Sequence, residues 1–221
     1  PAHLVIMDAV LQERFLRQRK EQELLEQVSA LTERLKATEE DAANYKNRLN
    51  RQQQRLQVDT LTQLHNRSAL DERLALEYKR WLRYQSPLCL AIVDVDHFKS
   101  INDQFGHLAG DKALKVIARA LSTTLRDTDF VARFGGEEFV VIMPDTLPED
   151  AMQIAERLRH SIATAPFYIG RNREQLDVTC SVGVSVGNQT SDIPETVLKR
   201  ADQALYSAKQ CGRNRVMAQA A

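Results

Sequence analysis

The sequence predicts an α+β protein, or α/β sandwich, in which helices pack on a mixed β-sheet that is preceded by one long helix. Residues 11–57 contain neither glycine nor proline and carry a seven-residue apolar repeat. From residue 59 onward, helical patterns alternate with apolar strand-like runs, and two such runs flank a Gly-Gly pair within residues 129–143. Helices that alternate with strands, together with one clear hairpin, indicate a mixed sheet.

Residues 1–58 are predicted to form a coiled-coil helix. Two series of mostly apolar residues recur every seven positions, as a and d positions do. The flanking charges favour a parallel dimer, because Arg34 and Asp41 would face Glu39 and Lys46 of the partner. The alternative is a lone amphipathic helix packed on its own domain, but a helix of ~70 Å is too long for that. The series are Val28, Leu35, Ala42, Leu49 and Leu56, and Leu24, Leu31, Thr38, Tyr45 and Gln52.

Residues 59–221 are predicted to form the globular domain. Residues 88–95 are apolar except for Asp94, which is typical of a buried strand, and residues 176–187 alternate as a strand does. Pro148 suits the first turn of a helix. The predicted helices are 68–84, 109–125, 148–164 and 194–210, and a last short strand is predicted at 214–218.

Composition and charge exclude several classes of protein. Lys plus Arg number 30 and Asp plus Glu number 30, so net charge gives no attraction to nucleic acid or to a membrane surface. No apolar run approaches the ~20 residues of a membrane helix, and charged residues follow residues 4–7 too soon for a signal peptide. Cys89, Cys180 and Cys211 lie far apart, as free thiols of a cytoplasmic protein do. Because the chain begins at Pro1 within a helical pattern, we expect it to be a fragment.

The tip of the predicted hairpin carries glycines and carboxylates together. Gly135 and Gly136 suit a type I′ turn, in which both central residues need positive φ, and glycine lets a backbone approach a ligand closely. Glu137 and Glu138 follow at the start of the returning strand and would point to opposite faces. Carboxylates beside a bare turn suit a phosphate that carries Mg²⁺. Taken alone, these residues fit an exposed, solubilising hairpin tip equally well.

A second acidic segment follows strand 88–95. Asp94 and Asp96 would share one face at the end of this strand, where α/β proteins place metal ligands. Asn102, His107 and Asp111 come next. Each of these has a simple structural explanation by itself, because Asp111 could cap a helix and His107 could be a loop residue. In combination with the hairpin tip, they indicate a functional site.

Four motifs in order resemble those of the GGDEF domain family, over about residues 59–217. Segment 94–111 resembles the first signature, and residues 135–139 resemble the motif that names the family, in its GGEEF form. Residues 59–67 and 202–215 resemble the motifs that open and close the domain. GGDEF domains are diguanylate cyclases, which join two GTP molecules into cyclic di-GMP and release two pyrophosphates. The resemblance implies a nucleotidyltransferase whose mixed sheet, wrapped by helices, is similar to the palm of nucleotidyl cyclases and polymerases.

The resemblance also implies roles for single residues. Asp94, Glu137, Glu138 and the Val95 carbonyl would hold Mg²⁺, with Mn²⁺ as a substitute, and Glu137 would be the base that activates the ribose 3′-hydroxyl. The predicted substrate contacts are Asn102 and Asp111 at the guanine edge, His107 beside them, and Phe98, Lys99, Gly135, Gly136, Lys209 and Arg213 near the phosphates. Arg126 and Asp129 resemble the family's product-inhibition site, with Arg157 as a supporting contact. The alternative for Arg126 and Asp129 is a surface ion pair worth less than ~1 kcal/mol.

Two GTP molecules must face each other for this reaction, so the resemblance implies a homodimer, or a tetramer, joined by the coiled coil. Two other functions remain open. A catalytically silent GGDEF domain would act as a receptor for cyclic di-GMP or GTP, and a scaffold would use the domain only for assembly. A silent domain would be expected to lose Asp94, Glu137 or Glu138, and all three are present.

Overall fold

The computed structural model describes residues 2–169, 174–187 and 192–219, and of residues 2–13, 47–56, 169 and 174 it describes only the backbone. The chain divides into two units, residues 1–56 and residues 57–221. Each unit has its own organisation.

The first unit is one helix, α1 (Ala2–Leu56), as the repeat predicts. Apolar side chains of the repeat are exposed along it, including Val28 at 58%, Leu31 at 65% and Leu35 at 60%. The Thr38 hydroxyl donates to the Arg34 and Leu35 carbonyls of its own helix, so this polar group in the apolar stripe is already satisfied. An exposed apolar stripe on a long helix is typical of a coiled-coil seam. Predicted seam residues Leu49, Gln52 and Leu56 lie outside the described side chains.

The second unit is built on a five-stranded mixed sheet, as predicted, in the order β2-β3-β1-β6-β7. The central strand β1 pairs antiparallel with β3 and with β6, and β6 pairs parallel with β7. A separate hairpin pairs β4 with β5. The strands are β1 (Leu88–Val95), β2 (Phe130–Arg133), β3 (Glu138–Pro144), β4 (Tyr168–Ile169), β5 (Glu174–Gln175), β6 (Cys180–Gly187) and β7 (Val216–Gln219). The helices are α2 (Arg67–Tyr84), α3 (Phe98–Phe105), α4 (His107–Thr124), α5 (Pro148–Thr164) and α6 (Pro194–Gln210).

Helices cover both faces of the sheet, so every residue of β1 is buried. Leu90 and Ile92 belong to the apolar cluster on the α2 and α6 side. Ala91 and Val93 belong to the cluster on the α3, α4 and α5 side. This double burial explains why β1 is apolar at every position from Leu88 to Val93 rather than at alternate positions.

The two faces of strand β6 differ in side-chain size, because small residues alternate with valines along it. Ser181, Gly183 and Ser185 point toward α6, and the Ser185 hydroxyl donates to the Val197 carbonyl at 2.7 Å. A Cβ atom on Gly183 would lie 2.1 Å from the Ala201 carbonyl oxygen. Helix α6 therefore lies directly against the backbone of β6, and this close packing brings the end of α6 to the end of β1.

The structure differs from the sequence prediction mainly in segment 96–108. Helix α3 lies where no element was predicted, and α4 begins at His107 rather than at residue 109. Gly106, with φ of 82°, separates the two helices, and its amide still bonds to the Asn102 carbonyl. Phe98 and Ile101 of α3 are buried, so packing rather than length stabilises this short helix.

The three cysteines are free thiols, as predicted: Cys89 and Cys180 are buried and Cys211 is exposed. Burial raises the pKa of Cys89 to about 12. Within the described part of the chain, no helix is both long enough and apolar enough to cross a membrane.

Candidate active site

The loop between β2 and β3 is held by Arg133. Its guanidinium donates to the Gly135 carbonyl at 3.1 Å and to the Gly136 carbonyl at 2.7 Å. The same group contacts the Asp59 carboxylate at 3.2 Å, and the Asp59 carboxylate also accepts bonds from the amide and hydroxyl of Thr62. The motif that opens the domain thus fixes the carbonyls of the Gly-Gly pair. Sequence reasoning missed Arg133, although it stands two residues before Gly135.

The predicted type I′ turn is wrong, because neither Gly135 nor Gly136 adopts a positive φ. The loop is longer than two residues, and the Phe134 amide closes it by donating to the Glu138 carbonyl at 2.8 Å. No rigid neighbour requires glycine at either position. A Cβ atom on Gly135 would lie 2.9 Å from the Glu138 carboxylate, and one on Gly136 would project into open space beside the loop.

Strand pairing brings the three predicted metal-binding carboxylates to one edge of the sheet. Asp94 is the register partner of Glu138 across β1 and β3. The Val95 amide donates to the Glu137 carbonyl at 3.3 Å. Glu137 lies in the loop before β3, so strand alternation does not set its direction as the sequence suggested.

Lys209 of α6 forms an ion pair with Asp94. Its ammonium lies 2.8 Å from Asp94 Oδ2, and the Asp94 side chain is only 6% exposed. The close packing of α6 on β6 is what carries Lys209 to this carboxylate. Arg213, also predicted to contact phosphates, is exposed in the turn after α6. Burial raises the pKa of Asp94, and the charge of Arg213 offsets a small part of that rise.

The carboxylates raise one another's pKa. Burial is the largest cause of the raised pKa of Asp94, and the negative charge of Asp96 adds to it, against Lys209. Burial and the charge of Asp94 raise the pKa of Glu137 and of Glu138. The site therefore holds more negative charge than Lys209 neutralises, which favours a bound cation.

The carboxylate and carbonyl oxygens of this site fit a Mg²⁺ ion that is coordinated by protein oxygens and phosphate oxygens together. No group of three or more potential ligands among the described side chains is already arranged around a metal position. Mg²⁺ takes hard oxygen ligands and is commonly bound by one or two carboxylates plus substrate phosphates, rather than by a cage of protein atoms. The open space beside Gly136 leaves room for such a phosphate. Asp94, Glu137, Glu138 and the Val95 carbonyl are the groups available for the ion.

The predicted guanine-reading residues lie where α3 meets α4. Asn102 is on α3 and Asp111 is on α4, with His107 one turn before Asp111 on the same helix. The Asn102 side chain lies against Gly110, where an added Cβ atom would come within 2.0 Å of its Oδ1. Gly110 therefore provides the space in which the Asn102 amide is oriented.

Phe98 and Lys99 begin α3 but offer different groups to a ligand. The Phe98 ring belongs to the buried cluster on the α4 and α5 side, so only its backbone is available for phosphate contacts. Lys99 is exposed. His97, just before them, adopts a left-handed conformation with φ of 56° that turns the chain from β1 into α3.

The predicted product-inhibition residues form a tight turn before β2. The Arg126 amide donates to the Asp129 carboxylate at 3.1 Å, and the Asp129 amide donates to the Arg126 carbonyl at 3.0 Å. The Asp129 carboxylate thus holds the backbone, and no Arg126–Asp129 ion pair is found among the described residues. Arg126 is exposed, and Arg157 lies on the exposed face of α5 beside a shallow groove lined by Gln153 and His160.

The chain is similar in sequence to proteins of Pseudomonas aeruginosa and Caulobacter vibrioides. It is 50% identical over 198 residues to diguanylate cyclase DgcP of Pseudomonas aeruginosa, covering 89% of this chain and 29% of that protein. It is 46% identical over 164 residues to response regulator PleD of Caulobacter vibrioides, covering 74% of this chain and 36% of that protein. The chain therefore spans about a third of the length of these relatives.

Two solved structures share the fold. The coiled coil and GGDEF domain of DgcB from Caulobacter crescentus, in complex with c-di-GMP, matches with a TM-score of 0.78 and 29% identity, over 86% of this chain and 99% of that one. Diguanylate cyclase SiaD of Pseudomonas aeruginosa, solved with its activator SiaC, matches with a TM-score of 0.73 and 35% identity, over 98% and 85%. The family model of the diguanylate cyclase GGDEF domain matches residues 56–215, and the chain belongs to the GGDEF domain family.

Proposed function

We propose that residues 59–221 act as a diguanylate cyclase, which condenses two GTP molecules into cyclic di-GMP and two pyrophosphates. The observation that carries the proposal is the group of Asp94, Glu137 and Glu138 at one sheet edge, with Lys209 2.8 Å from Asp94. These residues offer both the carboxylates for a divalent cation and a cation for the phosphates. The family of the chain and its relatives named as diguanylate cyclases support the same reaction.

The reaction needs positioning and charge neutralisation more than covalent catalysis. Mg²⁺, or Mn²⁺ in its place, would neutralise phosphate charge at Asp94, Glu137, Glu138 and the Val95 carbonyl. Glu137 is the proposed base for the ribose 3′-hydroxyl, because its carboxylate stands in the motif loop beside the proposed metal ligand Asp94. Lys209 and Arg213 contact the phosphates, together with Lys99 and the backbone of Phe98, Gly135 and Gly136.

Asn102 and Asp111 are the proposed determinants of guanine recognition, with His107 lining the same pocket. A carboxylate can accept bonds from both N1–H and the exocyclic amine of guanine. It cannot do this with adenine, whose N1 is an acceptor. GTP is therefore the proposed substrate rather than ATP.

Two chains are required, because each domain supplies one GTP and the new bonds join two of them. Residues 1–58 are the proposed dimerisation helix, pairing as a parallel coiled coil in a homodimer or a tetramer. The exposed apolar stripe that contains Val28, Leu31 and Leu35 supports this pairing. Such a helix raises the effective concentration of one domain beside the other. We place the protein in the cytoplasm, with no nucleic-acid partner.

Cyclic di-GMP is the proposed inhibitor at Arg126 and Asp129, with Arg157 in support. The exposed Arg126 guanidinium is not engaged by Asp129, whose carboxylate holds the turn backbone instead. The planar fork of arginine suits both phosphate oxygens and the guanine edge. Arg126→Ala is expected to abolish inhibition by added cyclic di-GMP while leaving initial turnover intact. Unchanged inhibition would argue against this site.

One assay separates the proposed enzyme from a silent receptor or an assembly scaffold. The full chain is incubated with GTP and Mg²⁺, and the nucleotides are resolved by chromatography with Glu137→Gln as the control. Formation of cyclic di-GMP by the native sequence alone supports the cyclase. Unchanged GTP without cyclic di-GMP indicates a silent receptor or a scaffold.

A further inference from the structure

The turn after α6 has an unusual backbone. Gly212, Arg213 and Asn214 all adopt positive φ, at 111°, 63° and 43°. Side chains disfavour this region, so two consecutive non-glycine residues remain in it only where surrounding contacts impose it. Asn tolerates the left-handed region better than Arg does. The turn carries Arg213, so whatever holds the turn also places the Arg213 guanidinium.

The first contact that holds the turn comes from Asp96, just after β1. Its carboxylate is 5% exposed and accepts three bonds. Thr179 Oγ1 donates at 2.8 Å, Ser181 Oγ at 2.7 Å and the Asn214 amide at 3.0 Å. The bond from Asn214 joins the turn to the strand end that also carries Asp94.

The second contact comes from Arg159 on α5. Its guanidinium donates to Asn214 Oδ1 at 2.6 Å. The Glu156 carboxylate orients Arg159 by accepting from Nε at 2.9 Å and 3.0 Å. The Arg159 side chain is only 17% exposed, so it is held more firmly than an ordinary surface arginine.

Asn214 is therefore bonded from both sides, through its amide to Asp96 and through its side chain to Arg159. The Arg213 amide donates to the Ala208 carbonyl at 3.0 Å, which fixes the preceding residue to the end of α6. Arg213 lies between these anchors, with its own side chain exposed. The guanidinium can then contact a ligand while its backbone stays fixed.

We propose that Asp96, Asn214 and Arg159 are positioning residues, which set the Arg213 guanidinium for the triphosphate of the substrate. The proposal rests on the proposed function, because it gives Arg213 the triphosphate as its ligand. None of the three residues is proposed to touch the substrate. The competing explanation is that these bonds only close the fold at the end of α6.

The test measures binding of guanosine 5′-[α,β-methylene]triphosphate and of guanosine to the full chain by calorimetry with Mg²⁺. Arg159→Ala is expected to lower the affinity for the triphosphate about 10-fold, the effect of a lost charge-assisted bond. The affinity for guanosine should not change. Asn214→Gly keeps a backbone suited to positive φ and the backbone bond to Asp96 but removes the side-chain contact with Arg159, so it should give the same loss. Asp150→Ala, at an exposed position on the same helix, is the matched control and should change neither affinity.

A double-mutant cycle distinguishes positioning from a purely structural role. If Arg159 acts through Arg213, then Arg159→Ala combined with Arg213→Ala binds the triphosphate as weakly as Arg213→Ala alone. Additive losses, or an equal loss of guanosine affinity, would overturn the positioning proposal and leave the proposed function standing. A native chain that binds neither nucleotide would overturn the proposed function and the positioning proposal with it.

Discussion

Replacing Gly183 with alanine tests how closely α6 must lie on the sheet. The added Cβ atom would lie 2.1 Å from the Ala201 carbonyl oxygen and 2.3 Å from the Leu205 amide nitrogen, both backbone atoms that cannot rotate away. Ordinary contact begins at 3.4 Å, so α6 must retreat by about 1.3 Å. The movement costs about 3 kcal/mol of unfolding free energy, from overpacking of ~2 kcal/mol and loss of the buried Ser185–Val197 bond of ~1 kcal/mol.

The same retreat is expected to reach the active site. It would stretch the ion pair between Lys209 and Asp94, now 2.8 Å, beyond hydrogen-bonding distance. Cyclase activity should then fall by about 100-fold, as a misplacement of ~1 Å can produce. Stability is measured by urea denaturation followed through Trp81, which is the single tryptophan of the chain and a buried residue of α2 that is 5% exposed.

Gly187→Ala is the matched control on the same face of β6. Its nearest contacts would be the Leu88 carbonyl oxygen at 3.5 Å and Val197 Cγ2 at 3.6 Å, which are ordinary distances. Stability within about 1 kcal/mol of the native chain is expected. If Gly183→Ala and Gly187→Ala unfolded at the same urea concentration, the claim that α6 rests on the β6 backbone would be refuted.

Three further predictions follow from other contacts. Gly110→Ala displaces the Asn102 side chain, so discrimination between GTP and ITP, which lacks the exocyclic amine, should fall about 10-fold. Deleting residues 1–57 should lower the specific activity at nanomolar enzyme concentration. The specific activity of the truncated chain should recover as its concentration rises in a dilution series. Burial alone would raise the pKa of Asp59. The hydrogen bonds from Thr62 and the charge of Arg133 outweigh burial, so the pKa of Asp59 lies below its ordinary value. Asp59→Asn should therefore lose about 1 kcal/mol of stability at pH 7 and less below pH ~4.

Each of these predictions has an outcome that contradicts it. Unchanged GTP to ITP preference in Gly110→Ala would show that Asn102 does not depend on this glycine. If the specific activity of the truncated chain did not depend on its concentration, the dimerisation helix would have no role in catalysis. For Asp59, the sign is fixed by the depressed pKa, since the stabilisation is complete above the unfolded pKa and disappears as pH falls through the folded one. A stability difference that grew toward acid pH would contradict the Asp59–Arg133 pairing.

Sequence patterns predicted those parts of the fold in which a local period reflects burial. Strand β1 is buried on both faces and α5 on one face. The spacing of apolar residues in each segment follows this burial, so it can be recognised in the sequence. Helix α3 escaped prediction because its eight residues form too short a window for a period. Its amphipathic face is recognisable only after Gly106 is seen to separate it from α4.

Contacts between distant residues account for the errors at the candidate site. The Gly-Gly pair predicted a two-residue turn by local rules, but Arg133 binds both glycine carbonyls and is itself held by Asp59, 74 positions away. Asp96 suggested a metal ligand at a strand end, yet Ser181 and Asn214, 85 and 118 positions away, use its oxygens. Local spacing contains no information on such partners.

If Asp94 binds a divalent cation as proposed, its ion pair with Lys209 would make metal binding and nucleotide binding interdependent. A divalent cation that arrives alone must separate the ammonium from a buried carboxylate and leave it without a counter-ion. When the cation binds together with a triphosphate, the triphosphate becomes the new anionic partner of the Lys209 ammonium. The two ligands should therefore bind with positive cooperativity, and each must raise the affinity for the other by the same factor. Free Mg²⁺ in the cell would then leave the carboxylates largely unloaded until GTP is present.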